Sequence, residues 1–258
     1  MNQWQVQRIA FTTIVVKEIR RFMRIWQQTL LPPAITMTLY FVIFGNLIGS
    51  RIGDMGGVDY MAFIVPGLIM MSVITNAYGN VASSFFSNKF QRSVEEMMVA
   101  PVHPLTILFG FVAGGVVRGV LVGIIVTLLS LWFTDLVVHN VWVVVSVILL
   151  SAVVFALGGF INAIFASKFD DISIVPTFVI TPLTYLGGVF YSIALLPEFW
   201  QGVSALNPIL YLVNAFRYGV LGVSDISLLH AYVMLAAFVV LLTVFSVWLI
   251  RRGVGMRQ

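Results

Sequence analysis

Cysteine is absent from the 258-residue chain, which excludes disulfides and thiolate metal sites and leaves its redox compartment unreadable. Charge is scarce. Asp, Glu, Lys and Arg make up 9% of residues, against about 25% in an ordinary soluble domain. No lysine follows a glycine, which removes the Gly-Lys-Ser/Thr of a phosphate-binding loop. Gly-x-Ser-x-Gly and His-Glu-x-x-His are also missing. The three histidines, His103, His139 and His230, are far apart at the ends of apolar runs, where boundary residues are commoner than ligands. No catalytic, cofactor-binding or metal site is therefore expected. The net charge of +4 would suggest nucleic acid in a soluble protein. Here the cations cluster beside apolar runs, which points to orientation in a membrane and to no nucleic-acid partner.

What is abundant is hydrocarbon: 60% of residues are hydrophobic and the mean hydropathy is +1.03. At about 20 apolar residues per crossing, six or seven helices fit and little remains for a soluble domain. The expectation is one all-α integral membrane domain. Apolar runs place spans at about 30–49, 60–83, 105–133, 141–166, 172–191 and 230–250. Residues 1–28 lack the apolar core and cleavage site of a signal peptide and are expected to be retained. In them Phe11, Val15, Ile19, Phe22 and Trp26 form one helical stripe, with Lys17, Arg20, Arg21 and Arg24 opposite. That pattern predicts an amphipathic helix in the interface plane, its cations near anionic headgroups of membrane lipid; a solvated cap packed on the bundle is the alternative.

Residues 192–229 are apolar but interrupted, and a seventh span can be forced into them. Parity decides. With six spans, eleven of the 14 Lys and Arg lie on the cytoplasmic side (Arg8, Lys17, Arg20, Arg21, Arg24, Lys89, Arg92, Lys168, Arg251, Arg252, Arg257). Only Arg51 and Arg217 lie outside, and Arg118 lies within a span. A seventh span would export the three C-terminal arginines, against the positive-inside rule. Six spans with both termini cytoplasmic follow, and residues 192–229 become two short re-entrant helices, around 197–205 and 209–222.

A polar island, 88–100, separates the second and third spans. Phe90, Val94, Met97 and Met98 mark one apolar face of a short helix there, with Lys89, Arg92, Glu95 and Glu96 as the polar remainder. Such a helix rests on lipid, merely links two spans, or docks into a soluble partner. All ten carboxylates fall in loops or at span ends, so no proton carrier is placed inside the bilayer. Arg118 is the one buried charge, beside a ridge of small residues at Gly110, Gly114, Gly115, Gly119 and Gly123. It serves a substrate path, or it is a structural arginine satisfied by Asn76 or Asn80.

In this order several stretches resemble the ABC-2 type permeases, the membrane subunits of ATP-binding-cassette exporters. Arg92-Ser-Val-Glu95-Glu96-Met-Met-Val-Ala-Pro101 is similar to the family's coupling loop, with Ser93-Val94 where many members carry Gly-Thr. Gly187-Gly-Val-Phe-Tyr191, followed by Pro197 and Trp200, resembles the exit from span five, and Asn207-Pro208 with Ala215-Phe-Arg217 resembles the re-entrant stretch. The resemblance covers essentially the whole chain and is greatest to bacterial permeases of nodulation-factor and anthracycline export. It implies a homodimer in the bacterial inner membrane, with spans one and five as interface candidates. It also implies two copies of a separate ATPase subunit that bind ATP and Mg, this chain holding no cofactor itself. The island becomes the coupling helix, and Tyr191, Pro197, Trp200, Asn207, Pro208 and Arg217 fall in an extracytoplasmic gate. From the residues alone, a self-contained channel or facilitator is the alternative and a membrane-embedded enzyme a distant third.

Overall fold

The computed structural model describes residues 2–55 and 57–255, without the side chains of Asn46 and Ser50; Arg257, expected on the cytoplasmic side, lies outside the described residues. Helix α1 (Gln3–Arg24) starts where Gln5 reaches back, its side-chain oxygen accepting from the Asn2 N–H at 3.1 Å. A short turn, α2 (Trp26–Thr29), leads into α3 (Leu31–Tyr40), which carries Pro32 and Pro33 in its first turn, where a missing N–H breaks no helical bond. The helix continues in π geometry over Phe41–Gly49 and ends in α4 (Ser50–Ile52). A two-residue-per-strand hairpin, β1 (Asp54–Met55) and β2 (Val58–Asp59), pairs Met55 with Val58 and turns the chain.

Helix α5 (Tyr60–Phe90) follows, capped by the Asp59 carboxylate, which accepts from the Met61 N–H at 2.9 Å. After it come α6 (Ser93–Val99), α7 (Pro104–Ser130), α8 (Val141–Phe165), α9 (Asp171–Val175) and α10 (Thr181–Leu186). A 3₁₀ turn at Ile193–Leu195 precedes α11 (Glu198–Ala205), α12 (Pro208–Leu221) and α13 (Leu228–Arg252).

Among the described residues five stretches are long and apolar enough to cross a membrane: Trp26–Gly49, Tyr60–Phe90, Pro104–Ser130, Val141–Phe165 and Leu228–Arg252. The span expected at 172–191 is instead a shorter apolar helix, Asp171–Leu186. Its proline content explains the difference. Pro182 lacks an N–H and its ring crowds the carbonyl four residues back. The preceding turn, Pro176–Ile180, widens to π geometry, with the Thr181 N–H and hydroxyl both on the Pro176 carbonyl. The helix stops before Gly188, whose φ of +71° a side-chain-bearing residue rarely adopts.

Helix α5 organises the rest. At 31 residues it is about 46 Å long at 1.5 Å per residue, well beyond the roughly 30 Å of a hydrocarbon core. It packs chiefly on α8 and α7. Where α7 crosses it, glycines let the backbones touch: a methyl at Gly115 would lie 2.9 Å from the Ala77 carbonyl oxygen, and one at Gly119 3.1 Å from that of Val73. One core gathers Ile64, Leu68, Val73, Val147 and Val213; a second, toward the other end of α5, gathers Phe85, Phe86, Phe111, Phe160 and Leu249.

Candidate functional site

Asn76, Asn80, Ser84 and Asn88 recur every four residues on α5, which places them in one stripe. All four are buried and each meets a partner from another helix. Arg118 of α7 donates from Nη2 to Asn76 Oδ1 at 3.1 Å and to the Thr29 carbonyl at 3.3 Å. Arg21 Nη2 donates to Asn80 Oδ1 at 2.8 Å and to the Asn80 carbonyl at 3.0 Å. The Ser84 hydroxyl donates to Glu18 Oε1 at 2.7 Å, and Lys17 Nζ donates to Asn88 Oδ1. Glu18 also accepts from Arg21 Nε at 3.4 Å. A carboxylate with no exposed surface thus sits beside two cations, Arg21 and Lys17. An unpaired charge there would cost several kcal/mol, so the pairing is what permits its burial. Burial lowers the pKa of the Lys17 ammonium, and Glu18 beside it acts in the opposite direction.

Helix α1 runs alongside α7 in the same direction. Gln7 meets His103 and Thr106, Ile14 lies at Gly110 and Glu18 at Gly114, where an added methyl would stand 2.5 Å from Glu18 Cβ. Of the four expected anchors, exposed Lys17 and half-buried Arg21 also donate to α5, while Arg20 and Arg24 are exposed. Phe22, expected in lipid, is fully buried in protein. Glu18 lies outside the candidate spans and is buried all the same, because the polar stripe of α5 offers it the Ser84 hydroxyl. Of the two partners expected for Arg118, Asn76 is taken and Asn80 belongs to Arg21.

The helix expected over 88–100 is two helices. Helix α5 continues through Phe90, the chain breaks at Gln91 and Arg92 (φ +60°), and α6 starts at Ser93. The predicted apolar face is divided accordingly. Val94 is buried in this chain's own core, Met97 is half-buried, and Phe90 and Met98 are exposed. Lys89, expected on a polar rim, is buried and donates to the carbonyls of Ile164 at 2.6 Å and Ala166 at 2.7 Å, capping the end of α8. Arg92, Glu95 and Glu96 are exposed. Phe169, in the α8–α9 turn and not singled out by sequence, packs on Phe90 with ring centroids 5.3 Å apart and on Phe86 at 4.8 Å. Phe90, Val99 and Phe169 together expose apolar surface at this end.

At the opposite end α11 and α12 are the two short helices expected around 197–205 and 209–222. Pro197 precedes α11, where its carbonyl accepts from the Trp200 N–H, and Pro208 opens α12. The Asn207 side chain accepts from the Ile209 N–H at 2.9 Å, capping α12, while its amide donates to the Leu183 carbonyl at the end of α10. Arg217 is fully buried: Nη2 donates to the Gly188 carbonyl at 2.6 Å, Nε to that of Phe63 at 3.3 Å, and the guanidinium lies 3.8 Å from the Phe63 ring centre. Asp225 accepts from the Ser192 hydroxyl and the Ile193 N–H and holds the start of this segment to its end. Tyr191 is half-buried and Trp200 exposed.

The family model of the ABC-2 type transporter matches residues 9–221, taking in the α5 stripe, the α5–α6 break and the Asn207–Arg217 helix. The chain belongs to the ABC-2 type transporter family. This ABC-2 chain is 62% identical over 251 residues to the inner membrane transport permease YadH of Escherichia coli (strain K12), covering 97% of itself and 98% of that protein. It is 27% identical over 225 residues to Nodulation protein J of Neorhizobium galegae and 26% identical over 217 residues to that of Rhizobium leguminosarum bv. trifolii, in each case across 83% of itself and 82% of the relative. With its apolar helices, membership makes it an all-α membrane permease.

Proposed function

We propose that this chain is the membrane subunit of an ATP-driven exporter in a bacterial inner membrane. It pairs with a second copy and is driven by two ATP-binding-cassette ATPase subunits, which supply ATP and Mg. It crosses six times, 172–186 being the short fifth span, with both termini cytoplasmic and α11–α12 re-entrant from outside. The observation that carries the reading is the α5–α6 break. It sets Phe90, 57% exposed, against Phe169 at 51%, and leads into α6, which carries the exposed acids Glu95 and Glu96 and ends at Val99, 87% exposed. An apolar centre bordered by charge suits a groove on a soluble partner. Rigid attachment behind it supports transmission of force: Lys89 ties the break to α8, and Gln7 ties the segment after α6 to α1.

The experiment is recovery of the co-expressed ATPase subunit in detergent with wild type, a Phe90→Ala/Val99→Ala variant and Val94→Ala. Truncation of an exposed anchor should cost about 2 kcal/mol or more of partner binding where it is a hot spot, with the permease's own melting unchanged. Val94→Ala should lower melting and leave the contact surface in place. Equal ATPase recovery by wild type and the double variant would remove the coupling assignment.

A further inference from the structure

We propose that the cleft between the N-terminal ends of α1 and α7 binds an anionic phospholipid. The cleft is a shallow groove of about 360 Å³, open along its length. Its chemistry changes along its length. Trp4, Arg8, Leu105 and Thr106 stand where both helices begin, with Arg8 the one charge of the lining; Phe11 and Phe109, further along the same two helices, are wholly apolar. Because α1 and α7 advance in the same direction, the polar and apolar ends of their walls coincide instead of cancelling. A phospholipid has this order, phosphate first and hydrocarbon after it.

The Arg8 guanidinium lies 5.7 Å from the Trp4 ring centre, and among the described residues no carboxylate pairs with it. It is an exposed cation backed by an indole, the pairing found at headgroup level. Gln7, between them, is already committed: its amide donates to the Pro101 carbonyl at 3.0 Å, and its oxygen accepts from the His103 N–H at 2.9 Å and the Thr106 hydroxyl at 2.7 Å. It fixes the two walls and leaves the phosphate to Arg8. Phe11 and Phe109, each 38% exposed, offer an acyl chain a surface that a free phosphate would not use. Assigning the lipid to the cytoplasmic leaflet rests on the topology proposed above; the binding itself does not.

Native mass spectrometry of the detergent-purified full chain tests this, with dioctanoyl phosphatidylglycerol, dioctanoyl phosphatidylethanolamine and inorganic phosphate as probes. Wild type should bind phosphatidylglycerol about fivefold more tightly than phosphatidylethanolamine, the effect of one cation at a membrane surface. Arg8→Ala should abolish that preference and keep phosphatidylethanolamine binding; Arg8→Lys should retain most of it. Phe109→Ala should weaken both lipids. Arg20→Ala, an exposed cation of α1 outside the cleft, should behave as wild type. A preference that survives Arg8→Ala, that is lost equally in Arg20→Ala, or that inorganic phosphate competes away overturns the proposal. No ATPase is needed, so failure here leaves the coupling reading untouched.

Discussion

The Ser84 hydroxyl and the Glu18 carboxylate meet at 2.7 Å across 66 residues of chain. The bond joins a helix of low hydropathy to the middle of the bundle, and it makes α1 part of the transmembrane domain's own packing.

Glu18→Ala should accordingly be among the costliest substitutions in α1. It leaves the buried Ser84 hydroxyl without its acceptor and takes the carboxylate from Arg21, which keeps Asn80; a buried polar group left unsatisfied costs about 1–3 kcal/mol. Glu18→Gln preserves shape and an acceptor and should cost clearly less. Melting temperature in detergent and protease sensitivity of α1 are the readouts. Equal stability of wild type and Glu18→Ala would mean α1 is not docked as described.

Arg118 and Asn76 should be coupled. In a double-mutant cycle of Arg118→Ala and Asn76→Ala, contacting residues typically show an interaction of about 0.5–3 kcal/mol. Arg118→Ala with Asn80→Ala should be closer to additive, since the Asn80 oxygen belongs to Arg21. If Asn80 couples as strongly as Asn76, the pairing is misassigned.

Arg217 should act as the clasp of the outer segment. Arg217→Lys keeps the charge but cannot place donors on both the Gly188 and Phe63 carbonyls while stacking on Phe63. With a Tyr191→Cys reporter in this cysteine-free chain, Arg217→Lys and Arg217→Ala should raise the rate of labelling by an impermeant maleimide. An unchanged rate in both would place the clasp elsewhere.

Asp171 gives a pH dependence. Backbone N–H donors of Ser167 (2.8 Å) and Lys168 (2.9 Å) hold its pKa below the usual carboxylate value. The folded turn therefore favours the ionised form. Its contribution is present above the unfolded value of about 3.9 and is lost as pH falls through the lower folded one. Amide exchange at Ser167 and Lys168 should stay protected from neutral pH to below the ordinary Asp range, and Asp171→Asn should flatten that profile.

Much of this was legible because apolar runs and prolines act locally. Val141–Phe165 and Leu228–Arg252 lie where hydropathy puts them, and Asn207-Pro208 marks a cap and a first turn in any context. The misreadings have one physical source, partners distant in sequence. The polar side of α1 looked headgroup-facing until α5 supplied a donor for Glu18 and acceptors for Lys17 and Arg21. A signal for this existed: the four-residue recurrence from Asn76 to Asn88 continues past Ser83, where the span was expected to end. Lys89 and Val94 looked like rim and face of one helix because the turn at Arg92 leaves no mark in hydropathy. Phe169 went unnoticed, as a lone aromatic in a charged turn has no periodicity to reveal it.

The Lys89 cap also has a history in time. Its acceptor carbonyls at Ile164 and Ala166 lie 75 and 77 residues further along the chain. While the first spans are being inserted, Lys89 is therefore a bare cation just behind an apolar helix, and such a cation helps set which way a helix is threaded. Once α8 arrives, the same ammonium disappears into the fold. One residue thus stands without these partners early and holds two helices together late. A substitution there would be felt once α8 is in place, when two buried carbonyls would be left without their donor.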